Sequence, residues 1–209
     1  MIEMNLEGIF SQINESSENC LTQSNVKSVL KVLDILEYDV QNYQVSRKVA
    51  RSMYQFSKFL GFDEIYARDM FLLGFIHDIG NIKIPQGILK KEGTLTEEEY
   101  ALIEKHTYYG LSLMQENNTY ISKQVVEGIL YHHENYDGSG YPTKLKGDEI
   151  PQSARILRIV DSYEAMRLEK PNGCKLTKEE AISELLKYVT LRYDQDYTEK
   201  FISYKKMKR

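Results

Sequence analysis

Apolar residues recur at helical spacing along most of the chain. From position 26 they follow the three- and four-residue steps of an amphipathic helix, and the same spacing returns between Val45 and Leu60, where Gly61 can end a helix. No stretch alternates between apolar and polar residues over more than two or three positions, as a half-buried strand would. The pattern therefore predicts an all-α protein, a compact helical bundle with short connections.

Later helices are marked by capping residues or by renewed apolar spacing. The clearest starts are Thr96 and Thr177, each followed three residues later by a glutamate in the arrangement of a capping box. The basic run at positions 205–209 is predicted to be a frayed, solvated end. Helices are predicted to begin at Asp63, Thr96, Ser122, Gln152 and Thr177, and near Tyr197.

The chain shows no internal repeat and no low-complexity linker. We therefore predict an N-terminal helical extension, residues 1–42, followed by one compact domain, residues 43–209. The apolar stripe of the extension is expected to pack against that domain, although it could also serve a partner helix or a dimer.

Composition and charge argue against a nucleic-acid polymer as partner and against a membrane span. The chain is 42% apolar and 28% charged, with a formal net charge of −4, so no global basic field would recruit a nucleic-acid polymer. No apolar run approaches the roughly 20 residues of a membrane span, and the N-terminus lacks the pattern of a signal peptide. Cys20 and Cys174 lie far apart and are expected to be free thiols. We expect a cytoplasmic protein.

The four histidines fall at only three places: His77, His106 and the pair His132–His133. Asp78 directly follows the first of them. Imidazole and carboxylate ligands together suit a divalent transition metal, whereas carboxylates alone would suit magnesium or calcium. Any one of these residues could be an ordinary polar group at a helix end. Their shared placement beside acids, other histidines or glycine turns favours a metal site.

The stretch from His132 to Pro142, HHENYDGSGYP, closely resembles the HD-GYP domain, together with further motifs in matching order from about Val45 to the C-terminus. That family is a branch of the HD metal-dependent phosphohydrolases and is associated with hydrolysis of cyclic di-GMP. The other matching motifs are His77-Asp78-Ile79-Gly80, His106 shortly before Gly110, Ile150-Pro151, Arg155-Ile156 and Asp161 with Ala165-Met166.

The resemblance implies roles for individual residues. Asp78 would bridge two metal ions and is the expected catalytic carboxylate, with one or two divalent transition metals as the cofactor. Iron or manganese is favoured, and zinc or nickel is also compatible with these ligands. One metal shell would be His106, His132 and His133, the other His77 and Asp161, and the implied substrate-binding residues are Gly140, Tyr141, Pro142, Lys170 and Lys175.

Several positions depart from the family pattern. Val45 stands where a ligating histidine is expected, and Gln41 stands where some members have an acidic ligand for a third metal. Asn81 occupies the usual place of a catalytic lysine, and Lys83 lies two residues further on. The run Lys170-Pro171-Asn172-Gly173 replaces an arginine-proline-tyrosine-arginine arm that helps to hold the substrate.

Three functions follow as hypotheses. The first is a metal-dependent phosphodiesterase that acts on a cyclic dinucleotide, cyclic di-GMP above all, with reduced activity. The second is a degenerate module that binds metal or nucleotide and works through a signalling protein partner or a homodimer. The third is a phosphohydrolase with another substrate. The retained GYP loop favours the first two, and the departures at Val45 and Asn81 favour the second over the first.

Overall fold

A computed structural model describes residues 40–116, 121–168 and 175–207 of the protein. Within these ranges the chain is helical, and the one strand-like feature is an isolated bridge between Val189 and Tyr193. The predicted all-α class is confirmed. The α-helices are α1 (Val40–Phe59), α2 (Glu64–Ile76), α3 (Gln86–Leu89), α4 (Glu97–Glu104), α5 (His106–Glu116), α6 (Lys123–Tyr131), α7 (Gln152–Met166), α8 (Lys178–Lys187) and α9 (Gln195–Met207), with 3₁₀ turns at Ile79–Lys83 and Gly147–Glu149.

Three of the predicted helix starts, at Asp63, Thr96 and Thr177, are matched by side chains that cap the helix with a hydrogen bond. In both capping boxes the threonine hydroxyl accepts from the glutamate backbone N–H, at 3.2 Å for Thr96 and 3.2 Å for Thr177. Asp63 caps α2 by accepting from the backbone N–H of Tyr66 at 2.7 Å. Helix α9 begins at Gln195, slightly before the predicted start.

Helix α7 forms the centre of the bundle. It contacts α1, α2, α6, α8 and α9. Ala154, Ile156, Leu157, Ile159 and Val160 on this helix are completely buried, whereas Asp161 keeps 21% of its side chain exposed. A helix held on so many sides is a rigid support for the polar side chains that it carries toward the site.

The prediction of a solvated basic end is wrong for Lys205. Its ammonium group lies 2.8 Å from Glu164 Oε1 and 2.9 Å from Ser52 Oγ, and 4.5 Å from the ring centre of Tyr163. These contacts tie α9 to α7 and α1. The amphipathic face of α9 carries Lys205 inward, and the aromatic ring and the carboxylate together replace the water that the ammonium loses.

The predicted extension, residues 1–42, lies almost entirely outside the described residues, so its boundary stays a prediction. Among the helices that the structure describes, none combines the length and apolar character needed to cross a bilayer.

Candidate metal centre

The end of α2 and the following 3₁₀ turn deliver the first two site residues. His77 follows the last residue of α2 and is 1% exposed, and Asp78 precedes the turn. Gly80, inside the turn, lies against α5 so closely that an added Cβ would overlap the carbonyl oxygen of His106 and lie 2.6 Å from the Gly110 nitrogen. Only glycine permits this approach, which brings Asp78 beside His106.

Three of the imidazoles are oriented in the same way. The Nδ1 atom of each faces a backbone carbonyl three residues earlier in the chain, and a carbonyl can only accept, so Nδ1 carries the proton. In the neutral imidazole the lone pair then lies on Nε2, which is the tautomer that a metal ligand needs. The pairs are His77 with Gly74 at 3.0 Å, His106 with Ile103 at 2.8 Å and His132 with Ile129 at 2.9 Å.

Four side chains converge on one point and form what we call the histidine–aspartate cluster: Asp78, His106, His132 and His133. Each offers one ligand atom, and these atoms lie within 4.8 Å of one another. The Nε2 atoms of His106 and His132 are 3.3 Å apart, and Asp78 Oδ1 lies 3.3 Å from the former and 3.6 Å from the latter. Converging lone pairs repel unless a cation lies between them, so this donor set fits a transition metal.

A second, poorer group adjoins the cluster. Asp78 Oδ2 lies 3.6 Å from His77 Nε2, and Asp161 Oδ1 lies 3.5 Å from the same nitrogen. His77 Nε2 is buried and has no hydrogen-bond partner among the described residues. The two oxygens of Asp78 thus face the two groups separately, which is the geometry of a bridging carboxylate.

Charge within the site favours an ionised Asp78 carboxylate. Burial opposes the charge of Asp78, but the imidazoles around it, His77 first, outweigh that effect and hold the pKa of Asp78 well below its usual range. Burial lowers the pKa of His106 and holds the pKa of His133 well below its usual value. His77 differs: burial opposes its charge, yet Asp78 and Asp161 raise the pKa of His77 to about 9.

The loop after the histidine pair closes over one side of the cluster. The Tyr141 ring stacks on His133 with 4.8 Å between ring centres and 20° between planes, and the Tyr141 N–H donates to the His133 carbonyl at 3.3 Å. A Cβ on Gly140 would lie 2.5 Å from the carbonyl oxygen of His133. Pro142, which follows, is half-buried. The loop therefore holds an aromatic wall against the ligand set.

Comparison with known proteins agrees with this geometry. The HD domain family matches residues 31–197. The chain belongs to the HD domain family. A cyclic di-GMP phosphodiesterase of Thermotoga maritima is 34% identical over 180 residues, which cover 85% of this chain and 49% of the relative. A 3'3'-cGAMP-specific phosphodiesterase of Vibrio cholerae is 37% identical over 111 residues, 53% of this chain and 21% of the relative. The predicted HD-GYP resemblance is confirmed.

The fold is also similar to that of solved structures. A HDG"Y"P protein from Bdellovibrio bacteriovorus superposes with a TM-score of 0.61 at 18% identity, covering 78% of this chain and 52% of that one. This chain spans about half the length of the Thermotoga relative and about a fifth of the Vibrio relative.

The departures from the HD-GYP pattern can now be located. Val45 lies on α1, partly buried against the hydrophobic core, and offers no ligand atom. Asn81 lies in the 3₁₀ turn, where its backbone N–H donates to the Asp78 carbonyl at 3.0 Å, so a residue with a neutral side chain occupies this position of the turn. Lys83 does not replace the missing lysine. Its ammonium is held by Glu116 Oε1 at 2.6 Å and by Ser112 Oγ at 3.2 Å.

Of the other expected substrate residues, Lys175 is exposed and Lys170 lies outside the described residues. The side chain of Gln41, at the position of the third-metal ligand, also lies outside them. Sequence reasoning also missed two polar residues near the site. Glu134 is 1% exposed and accepts from the Thr143 N–H at 2.7 Å, which fixes the loop. Arg158 lies on α7 one turn before Asp161, and that spacing was a sign available in the sequence.

Proposed function

We propose that this chain binds a divalent transition metal at the histidine–aspartate cluster and acts on the phosphodiester of a cyclic dinucleotide, cyclic di-GMP being the favoured substrate. The observation that carries the proposal is the convergence of the Nε2 atoms of His106 and His132 on Asp78 Oδ1, at 3.3 and 3.6 Å, with the Nδ1 atom of each ring facing a backbone carbonyl. Membership in the HD domain family and relatives named as cyclic dinucleotide phosphodiesterases support it.

Each ligand residue would have a distinct role. Asp78 would bridge two metal ions, because one of its oxygens faces His106 and the other faces His77. His77 and Asp161 would hold a second, weaker ion, since the expected third ligand is Val45. A bound divalent cation supplies Lewis-acid chemistry: it activates water and neutralises charge on the phosphoryl oxygens. Asp78 keeps 36% of its side chain exposed, which leaves the cluster accessible to a ligand.

The substrate would lie along the GYP loop. The Tyr141 ring, stacked on His133, offers an apolar wall beside the ligand atoms, and Gly140 lets the loop approach them. Pro142, Lys170 and Lys175 stay predictions as substrate contacts.

Iron or manganese is proposed as the metal, with zinc or nickel as alternatives. Three imidazoles and one carboxylate do not select among these ions. Elemental analysis of protein purified without chelator and reloaded under reducing conditions should find close to one tightly held equivalent. Less than a tenth of an equivalent of any transition metal would contradict the proposed site.

A degenerate binding module is the second candidate, and specific observations favour it. Val45 provides no ligand, Asn81 provides no charge, and the nearby Lys83 is engaged by Glu116. A module of this kind would bind metal and nucleotide and signal through a protein partner or a homodimer. A homodimer, a protein partner and a cytoplasmic location stay predictions.

The double variant Val45→His/Asn81→Lys separates the two candidates. If the chain is a phosphodiesterase weakened by substitution, the double variant should hold a second metal equivalent and cleave cyclic di-GMP faster than the starting protein. Removing one preorganised transition-state contact costs about 10²–10³ in rate, so the restored lysine alone should give a gain of that order. The two changes act on one reacting centre and should be more than additive.

Metal content and turnover are measured together, with the two single variants as controls. A double variant that binds two metals and remains inert would favour the binding module. A starting protein that already turns over at the rate of the double variant would show that the departures are tolerated.

A further inference from the structure

Arg158 carries a positive charge that no carboxylate neutralises in the part of the chain that the structure describes. The contrast with Arg155, one turn earlier on α7, is sharp: its guanidinium lies 2.7 Å from Asp148 Oδ1 and 2.7 Å from Asp194 Oδ2. For Arg158 the structure shows one hydrogen bond, from Nη2 to Asn135 Oδ1 at 2.9 Å.

The Nε–H of Arg158 is buried and lacks a hydrogen-bond partner among the described residues, and so does the Nε–H of Arg155, so the two arginines differ in their carboxylate partners. An unsatisfied buried donor costs about 1–3 kcal/mol, more for a charged group, and a phosphate oxygen at Arg158 would remove that cost. The Arg158 guanidinium is bonded to a neutral amide through Nη2, and its charge is not neutralised by that partner. Such a group can still form a charge-assisted hydrogen bond with an anion.

Arg158 shares a helix face with one residue of the candidate metal centre and bonds to the loop that follows another. Arg158 and Asp161 are three residues apart on α7, a spacing that places both on one helix face, and Asp161 lies 3.5 Å from His77 Nε2. Asn135, which holds the guanidinium, comes two residues after His133 and donates in turn to Ser139 Oγ at 3.0 Å in the same loop.

We infer that Arg158 binds a phosphate oxygen of the substrate and supplies beside the cluster the positive charge that Asn81 does not provide. The inference rests on the proposed function, because it assigns a phosphate-containing ligand to the same site. Arginine suits the task because its planar fork matches phosphate oxygens and keeps its charge at every accessible pH. Asn135 acts as a positioning residue, because its hydrogen bond to Nη2 holds the Arg158 guanidinium in place.

The test compares wild type with Arg158→Met and Arg158→Lys, and uses Arg51→Met, an exposed arginine on α1, as the matched control for loss of one charge. Manganese-loaded protein is titrated with cyclic di-GMP and, separately, with inorganic phosphate. We expect Arg158→Met to weaken both ligands about 10- to 100-fold, the range for loss of a charged hydrogen bond. Arg158→Lys should recover part of the loss, and Arg51→Met should bind like wild type.

Manganese content and the unfolding temperature are measured in parallel, because a purely structural arginine would change them as well. Unchanged metal content with weakened phosphate binding supports the inference. Equal affinity of wild type and Arg158→Met for both ligands overturns it, and so does loss of manganese in Arg158→Met. If wild type binds phosphate through Arg158 but does not bind cyclic di-GMP, the anion contact stands and the proposed substrate fails. If wild type binds neither ligand, both fail.

Discussion

Substitution of Gly80 by alanine should damage the metal centre without touching a ligand. Gly80 lies in the 3₁₀ turn two residues after Asp78 and packs against the backbone of His106, so it sets the distance between two of the cluster's members. A Cβ at this position would overlap the His106 carbonyl oxygen and lie 2.6 Å from the Gly110 nitrogen. Both neighbours are backbone atoms of α5 and cannot rotate away.

The size of the effect follows from these distances. Ordinary contact begins near 3.4 Å, so relieving the Gly110 contact alone requires a shift of about 0.8 Å. Metal–ligand distances tolerate only about 0.2 Å, and Asp78 would move with the turn while His106 stays on α5. We expect about a 10- to 100-fold loss of metal affinity, the range for disturbed support of a ligand. Overpacking of this kind also costs about 1–3 kcal/mol of stability.

Gly87 provides the matched control. It lies in α3, and an added Cβ there meets nothing within 4 Å. Gly87→Ala should therefore leave metal affinity unchanged and keep or slightly raise the unfolding temperature. Metal affinity is measured by titration of the apo protein and stability by thermal unfolding, where Gly80→Ala should lose about 2–4 °C for each kcal/mol. Equal metal affinity and equal unfolding temperatures for the two variants would refute the idea that this close approach positions Asp78.

Two further predictions concern the ligand shells and the core. His132→Ala should weaken the first metal equivalent more than Asp161→Ala does, because Asp161 serves the group that lacks a ligand; comparable losses in a metal titration would mean that the shells are divided differently. Lys205→Met should lower the free energy of unfolding by about 3 kcal/mol, because it leaves the Glu164 carboxylate buried without its cation. Lys206→Met, at an exposed position of the same helix, is the control in chemical denaturation, and similar midpoints for the two variants would contradict the structural role of Lys205.

Much of the fold was predictable because its causes are local. Helical periodicity depends on residues three and four apart, and the capping boxes at Thr96 and Thr177 join residues three apart. All the interacting partners are therefore close together in the sequence. The candidate ligands were also accessible to sequence reasoning, since histidines are few and each lies at a helix end. Even the tautomers of His106 and His132 depend on carbonyls only three residues away.

Tertiary structure decided which charges face the site and which do not. Lys83 was a candidate to replace the missing lysine, but Glu116 on a neighbouring helix holds it, 33 residues along the chain. Lys205 looked like a solvated end until packing joined it to Ser52, 153 residues away. Arg155 and Arg158 are the same residue type one turn apart, yet among the described residues only Arg155 contacts carboxylates. The direction of a long charged side chain depends on partners brought close by folding, and sequence spacing does not record those partners.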